Sequence, residues 1–118
     1  MTKKAKTGTP SLGDFELLVM LATFRLGPDE AYTVSIAEDI ARRTGRSIRR
    51  ANVYTTLRRL EAKGLVATRL GDPRPERGGR PRRLVALEPE GVSALRATTT
   101  AIESMVEGLM GDLREEAS

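Results

Sequence analysis

The chain has no cysteine, no histidine and no tryptophan. Without cysteine there are no disulfides, thiolate nucleophiles or ordinary zinc sites, and without histidine no side chain titrates near neutrality at its usual pKa. Those two absences close off most catalytic mechanisms. The remaining carboxylates fall mostly at helix-compatible surface spacings, with no metal cage or phosphate loop around them. No residue is therefore nominated as catalytic or metal-binding, no cofactor is expected, and an enzyme is not the expected reading. Aromatics are limited to Phe15, Phe24, Tyr32 and Tyr54, so the core has to be built from Leu, Val, Ile and Ala. No apolar stretch approaches the roughly 20 residues that a membrane span requires. Lys3, Lys4 and Lys6 precede an apolar run, but Asp14 and Glu16 interrupt it and no small-residue cleavage site follows. No membrane association and a cytoplasmic location are expected.

What is present is one domain's worth of chain, 118 residues, with its charge unevenly divided. Residues 46–63 hold six cations against Glu61 alone, and 64–87 hold six against Asp72 and Glu76. Residues 88–118 hold seven acids against Arg96 and Arg114. A basic middle between more acidic flanks is what a localised polyanion-binding face requires.

Residues 1–10, polar, basic and ending in Pro10, read as a flexible arm; 11–88 read as the folded domain and 89–118 as a C-terminal helix. The spacing predicts a first helix from Ser11 or Leu12 to Leu26, buried on most sides, with Ala22 marking a close helix approach and Gly27 and Pro28 stopping it. A second helix is predicted over Thr33–Thr44, closed by Gly45, and a third over Arg49–Lys63, closed by Gly64. Short helix, turn and longer helix make a helix-turn-helix. LVATRL and RLVAL then read as two short strands around a basic, glycine-containing loop, a wing. The expected fold class is mainly α (α+β): a winged helix-turn-helix three-helix domain with a two-stranded wing and a long C-terminal dimerisation helix.

On the third helix Val53, Leu57 and Leu60 face inward, leaving Arg49, Arg50, Asn52, Thr55, Thr56, Arg58, Arg59 and Lys63 over the rest. Arg can pair bidentately with guanine, Asn with adenine, and Thr can meet a phosphate or a thymine methyl. Arg49, Asn52 and Thr55 are the candidates for base contact, and Arg58, Arg59 and Lys63 for phosphates. Tyr54 is open between anchoring a phosphate and packing in the core. In the wing, Arg69, Arg74, Arg77, Arg80, Arg82 and Arg83 are the cations, and Arg77, Arg80 and Arg82 are the candidates to lie in or beside a minor groove. The bland alternative for both segments is a solvated basic surface.

The last helix carries Val92, Leu95, Thr99, Ile102, Val106, Leu109 and Leu113 at alternating spacings of three and four, with Met105 and Met110 beside them. Such a heptad seam exceeds what packing on a small core requires, so Val92, Leu95, Ile102, Val106, Leu109 and Leu113 are the candidate homodimer contacts. Double-stranded DNA is thus the expected partner, and a protein-interaction module docking an acidic partner is the alternative.

The stretch VYTTLRRLEAKGLV from Val53 to Val66, followed by ERGGRPRRLVAL and PEGVSAL, resembles the PadR-like family of bacterial winged-helix transcriptional regulators. LGDFELLVMLA and AYTVSIAEDI are also similar to it. The resemblance implies a dimer made through the C-terminal and first helices, and repression of a nearby promoter. Two departures stand out: Thr33 replaces a frequent Gly, and Glu88 replaces a frequent Thr or Ser, a weaker cap. Some relatives bind flat aromatic drugs in the dimer cavity, but this C-terminal helix offers no aromatic residue to stack on them, and any small-molecule effector is unknown from the sequence.

Overall fold

The computed structural model describes residues 12–72 and 81–117. Among these, the elements in chain order are α1 (Asp14–Leu26), α2 (Thr33–Thr44), α3 (Arg50–Ala62), β1 (Val66–Leu70), β2 (Arg83–Leu87), α4 (Pro89–Val106) and α5 (Met110–Ala117). The basic arm lies outside the described residues.

Each element begins and ends for a local reason. Ahead of α1 the Gly13 amide donates to the Glu16 carboxylate at 2.9 Å, the returning half of a capping box. The Tyr32 amide donates in the same way to the Ser35 hydroxyl at 3.0 Å, at the start of α2. α2 closes on Gly45 in the left-handed region, with Arg42 and Arg43 in its last turn beside the negative end of the helix dipole. At the end of α3 the Leu65 amide reaches back to the Leu60 carbonyl at 3.0 Å, a Schellman-type closure made possible by Gly64 at φ 78°. Glu88 caps α4 without any side-chain hydrogen bond, the weak cap that the departure from Thr or Ser implies.

β1 and β2 form an antiparallel pair in which Val66 faces Leu87 and Leu70 faces Arg83. The ladder continues one step outward through a hydrogen bond from the Gly71 amide to the Arg82 carbonyl, 2.7 Å long. The loop before α2 joins the other edge, where the Val85 amide donates to the Ala31 carbonyl at 2.9 Å. Under this sheet, Val19 and Met20 of α1, Ile36 and Ile40 of α2, Val53 and Leu60 of α3, and Leu65 make the core, with Ala22 fully inside it as the small residue expected at a close approach.

α4 crosses the bottom of this core at Gly91. A Cβ there would collide with the Leu65 carbonyl oxygen, and it would lie 3.0 Å from the Leu65 carbonyl carbon and 3.3 Å from Met20 Cε. Only a residue without a side chain lets α4 sit this close to the end of α3 and to α1.

Two sequence expectations change. The C-terminal segment is not one continuous helix: it breaks between α4 and α5, where Gly108 takes φ 80°, a conformation closed to a helix interior. Leu95 belongs to the domain's own core rather than to a free seam, because the first turns of α4 place Gly91, Ala94 and Leu95 on the face that packs inward. Gly91→Ala is expected to lower the unfolding free energy by about 3 kcal/mol, as overpacking against backbone does. Denaturant titration checks this, as a fall in the urea midpoint with an unchanged slope.

Candidate nucleic-acid interface

α3 turns Val53, Thr56, Leu57 and Leu60 into the core, a single face at spacings of three, one and three. Thr56 is therefore corrected from the polar face to the interior; its position between Val53 and Leu60 on the helix leaves it nowhere else to point. The opposite face is exposed and carries Arg50, Asn52, Tyr54, Thr55, Arg58 and Arg59, with Arg49 at the N-cap. Asn52, Thr55 and Arg59 form one row by helical spacing, and Tyr54 and Arg58 a second. Tyr54, open to either reading in the sequence, is half exposed on this outer face, where its hydroxyl accepts a hydrogen bond from Arg58 Nη1 at 3.1 Å. The Arg58 guanidinium stands 5.8 Å from the centre of the Tyr54 ring.

Other cations are held by partners within the chain. Lys63 donates to Glu16 at 2.8 Å, tying the end of α3 to α1, so this amine is a structural tie more than a free phosphate ligand. Arg46, in the turn before α3, reaches Asp14 at 3.4 Å, and Arg69 of β1 reaches Asp29 at 2.9 Å. Arg82 lies 4.6 Å from the centre of the Tyr32 ring, pinning the base of the hairpin to the start of α2. Arg83 donates to the Thr68 hydroxyl across the sheet at 3.2 Å. Arg74, Arg77 and Arg80 lie outside the described residues, and with them most of the wing loop. By contrast Arg49, Arg50 and Arg59 make no side-chain hydrogen bond or ion pair among the described residues.

Asp39 was not among the residues that the sequence singled out. Its carboxylate is 2% exposed and takes hydrogen bonds from Arg25 of α1, from Arg42 at 2.9 Å and from Arg43 at 3.1 Å. The signal was half visible, since an acid followed at three and four positions by arginines is a helical ion-pair pattern. What the pattern does not contain is Arg25, fourteen residues away, which makes the carboxylate a clamp between α1 and α2. With three guanidiniums around it, a buried carboxylate is fully satisfied.

Among the described residues Glu16 is the other buried acid. Burial pushes its pKa up, but the hydrogen bonds from Lys63 and the Gly13 amide, together with the charges of Lys63 and Arg59, outweigh it and hold the carboxyl below its ordinary value.

A helix-turn-helix followed by an antiparallel hairpin, presenting a basic outer face on its second helix, is the geometry of a winged DNA-binding domain. The family model described as the transcriptional regulator PadR-like family matches residues 21–97, which include all of α2, α3 and the hairpin. The chain belongs to that family.

As a PadR-like protein it is a DNA-binding transcriptional regulator and not an enzyme. Among solved structures it is similar to a PadR family transcriptional regulator from Eggerthella lenta, with 30% identity, a TM-score of 0.62, and coverage of 83% of this chain and 81% of that one. A PadR-like regulator from Bacillus cereus has the same fold at 15% identity and a TM-score of 0.64, with coverage of 82% and 90%. The structure of hsRosR-S4 in complex matches at 22% identity and a TM-score of 0.66, and the similarity spans 97% of this chain and 90% of that one. No curated protein sequence matches. In this PadR-like chain no helix among the described residues is long and apolar enough to cross a membrane.

Two outcomes follow for the buried acids. Because the folded-state pKa of Glu16 is depressed, its contribution to stability is complete above the unfolded-state value and is lost as pH falls through the folded one. Unfolding free energy measured from pH 6 downward should therefore decline in the acid range below 4.5, the ordinary value, and Glu16→Gln should flatten that decline. Asp39→Ala should cost about 2 kcal/mol, the loss of charge-assisted hydrogen bonds to arginines that remain partly solvated, read as a drop in thermal midpoint.

Proposed function

We propose that the protein is a homodimeric repressor that binds a pseudo-palindromic operator, with α3 in the major groove and the hairpin beside the adjacent minor groove. The observation that supports this reading is the outer face of α3, where Arg49, Arg50 and Arg59 are exposed with no hydrogen-bond or ion-pair partner among the described residues, beside Asn52 and Thr55. Among the described residues these three arginines have no acid partner, whereas Arg42, Arg43, Arg46 and Arg69 all find carboxylates nearby. Arg49, Asn52 and Thr55, toward the N-terminal half, read base edges; Arg50, Arg58 and Arg59 hold phosphates. Arg77 and Arg80 of the wing loop add minor-groove contacts.

The second copy covers the exposed apolar residues of α4 and α5. Ile102, Met105, Leu109, Met110 and Leu113 are all exposed in the single chain, Met105 by 75%, and Val106 is half-buried among them. Glu103, Glu107, Asp112, Glu115 and Glu116 on the same segment repel phosphates and so leave the DNA to the basic middle of the chain. Two recognition helices related by the dimer axis would meet major-groove faces about 34–36 Å apart. A dimer seated across a promoter excludes polymerase, which is the basis for repression.

Electrophoretic shift with a duplex from the region upstream of the protein's own gene tests the DNA reading. Affinity should fall steeply with salt, and Arg59→Ala should reduce the slope of log K against log salt by about 1 while weakening all sequences alike. Asn52→Ala should instead lose about 1–3 kcal/mol of discrimination at one base position. Absence of any shift at low salt would overturn the reading. In sedimentation the protein should run as a dimer, and Ile102→Asp combined with Leu113→Asp as a folded monomer.

A further inference from the structure

Between α3, the first turn of α2 and the hairpin runs an open cleft of about 340 Å³. Arg58 stands on its α3 wall and Arg83 on its hairpin wall, with Thr33, the first residue of α2, at one end. Both guanidiniums are oriented by neutral hydroxyls. Arg58 donates to Tyr54, and Arg83 donates to Thr68, whose own hydroxyl donates to the Glu61 carboxylate at 3.1 Å. A guanidinium held by a hydroxyl keeps its full charge and most of its five donors, whereas one held by a carboxylate, as Arg69 is by Asp29, has part of its charge offset.

The charge of the cleft is also specific. Two arginines against one carboxylate leave a single positive charge, which one singly charged anion balances. The positive end of the α2 dipole at Thr33 adds to the attraction in the same direction.

We propose that this cleft seats one phosphodiester of the DNA backbone, at the boundary between the groove read by α3 and the groove beside the hairpin, with Arg58 and Arg83 donating to it from opposite walls. The proposal rests on the DNA-binding reading above and adds Arg83, Thr68 and Glu61 to the interface. Its consequence is mechanical: the Arg83–Thr68–Glu61 chain already links the hairpin to the recognition helix, so one phosphate gripped from both walls registers the two elements on the backbone together.

The test is a scan of the footprinted upstream duplex in which each phosphate in turn is replaced by a neutral methylphosphonate. Wild-type protein should lose affinity at each contacted phosphate, and by about tenfold, the scale of a charge-assisted hydrogen bond, at the one seated in the cleft. In Arg83→Ala and in Arg58→Ala, both exposed positions whose variants should keep the wild-type far-ultraviolet circular dichroism, the loss should shrink at one phosphate common to the two, and in the double variant neutralising that phosphate should cost nothing further. If each variant binds more weakly but retains the wild-type loss at every phosphate, the cleft does not hold the backbone and the proposal falls while the DNA-binding reading stands. If no duplex binds wild-type protein at all, it is the DNA-binding reading that fails.

Discussion

The carbonyl of Leu65 is held on one side by the Glu88 amide at 2.9 Å and is bordered on the other by the bare Cα of Gly91. The amide of the same residue closes α3 through Leu60, and its fully buried side chain sits in the core. Four elements thus converge on one residue: α3 ends there, β1 begins there, α4 packs across it, and Met20 of α1 completes the contact. The orientation of the recognition helix relative to the hairpin, and of both relative to the C-terminal segment, depends on this junction. Interiors packed to crystal-like density transmit small displacements, so a shift at Leu65 would be felt at the outer face of α3.

Electrostatics organises the rest by sorting the arginines. Those on the back of the domain and in its turns are matched by acids: Arg25, Arg42 and Arg43 by Asp39, Arg46 by Asp14, Arg69 by Asp29. Those on the outer face of α3 are either unpaired among the described residues or held by a neutral hydroxyl, as Arg58 is. A high count of basic residues therefore overstates the free positive charge, and among the described residues the outer face of α3 keeps Arg49, Arg50 and Arg59 without an acid partner. The acid-rich α4 and α5 sharpen that contrast, since they leave the apolar side chains at the far end of the molecule surrounded by charge of the opposite sign.

Much of this was legible before any coordinates. The periodicity of the apolar residues located α2, α3 and the two strands to within a residue or two, because burial on one face and glycine at the ends are local signals. The polar row of α3 was legible for the same reason, apart from Thr56, whose inward direction depends on how wide a face the neighbouring helices cover. The C-terminal segment shows the opposite case. Its heptad spacing runs straight through Gly108, and nothing in the spacing of side chains reports that the backbone there adopts a left-handed conformation.

Sequence alone indicated the class of chemistry, since arginines crowded around a helix-turn-helix pattern offer a face for a polyanion. Only the tertiary structure decided which cations are available for it. Lys63 and Arg69 look as free as Arg59 in the sequence, but their partners Glu16 and Asp29 are forty or more residues distant and meet them only when α1 and its following loop fold against α3 and the hairpin. Ion pairing acts through space over a few ångströms, whereas sequence pattern reports on neighbours one or two helical turns away.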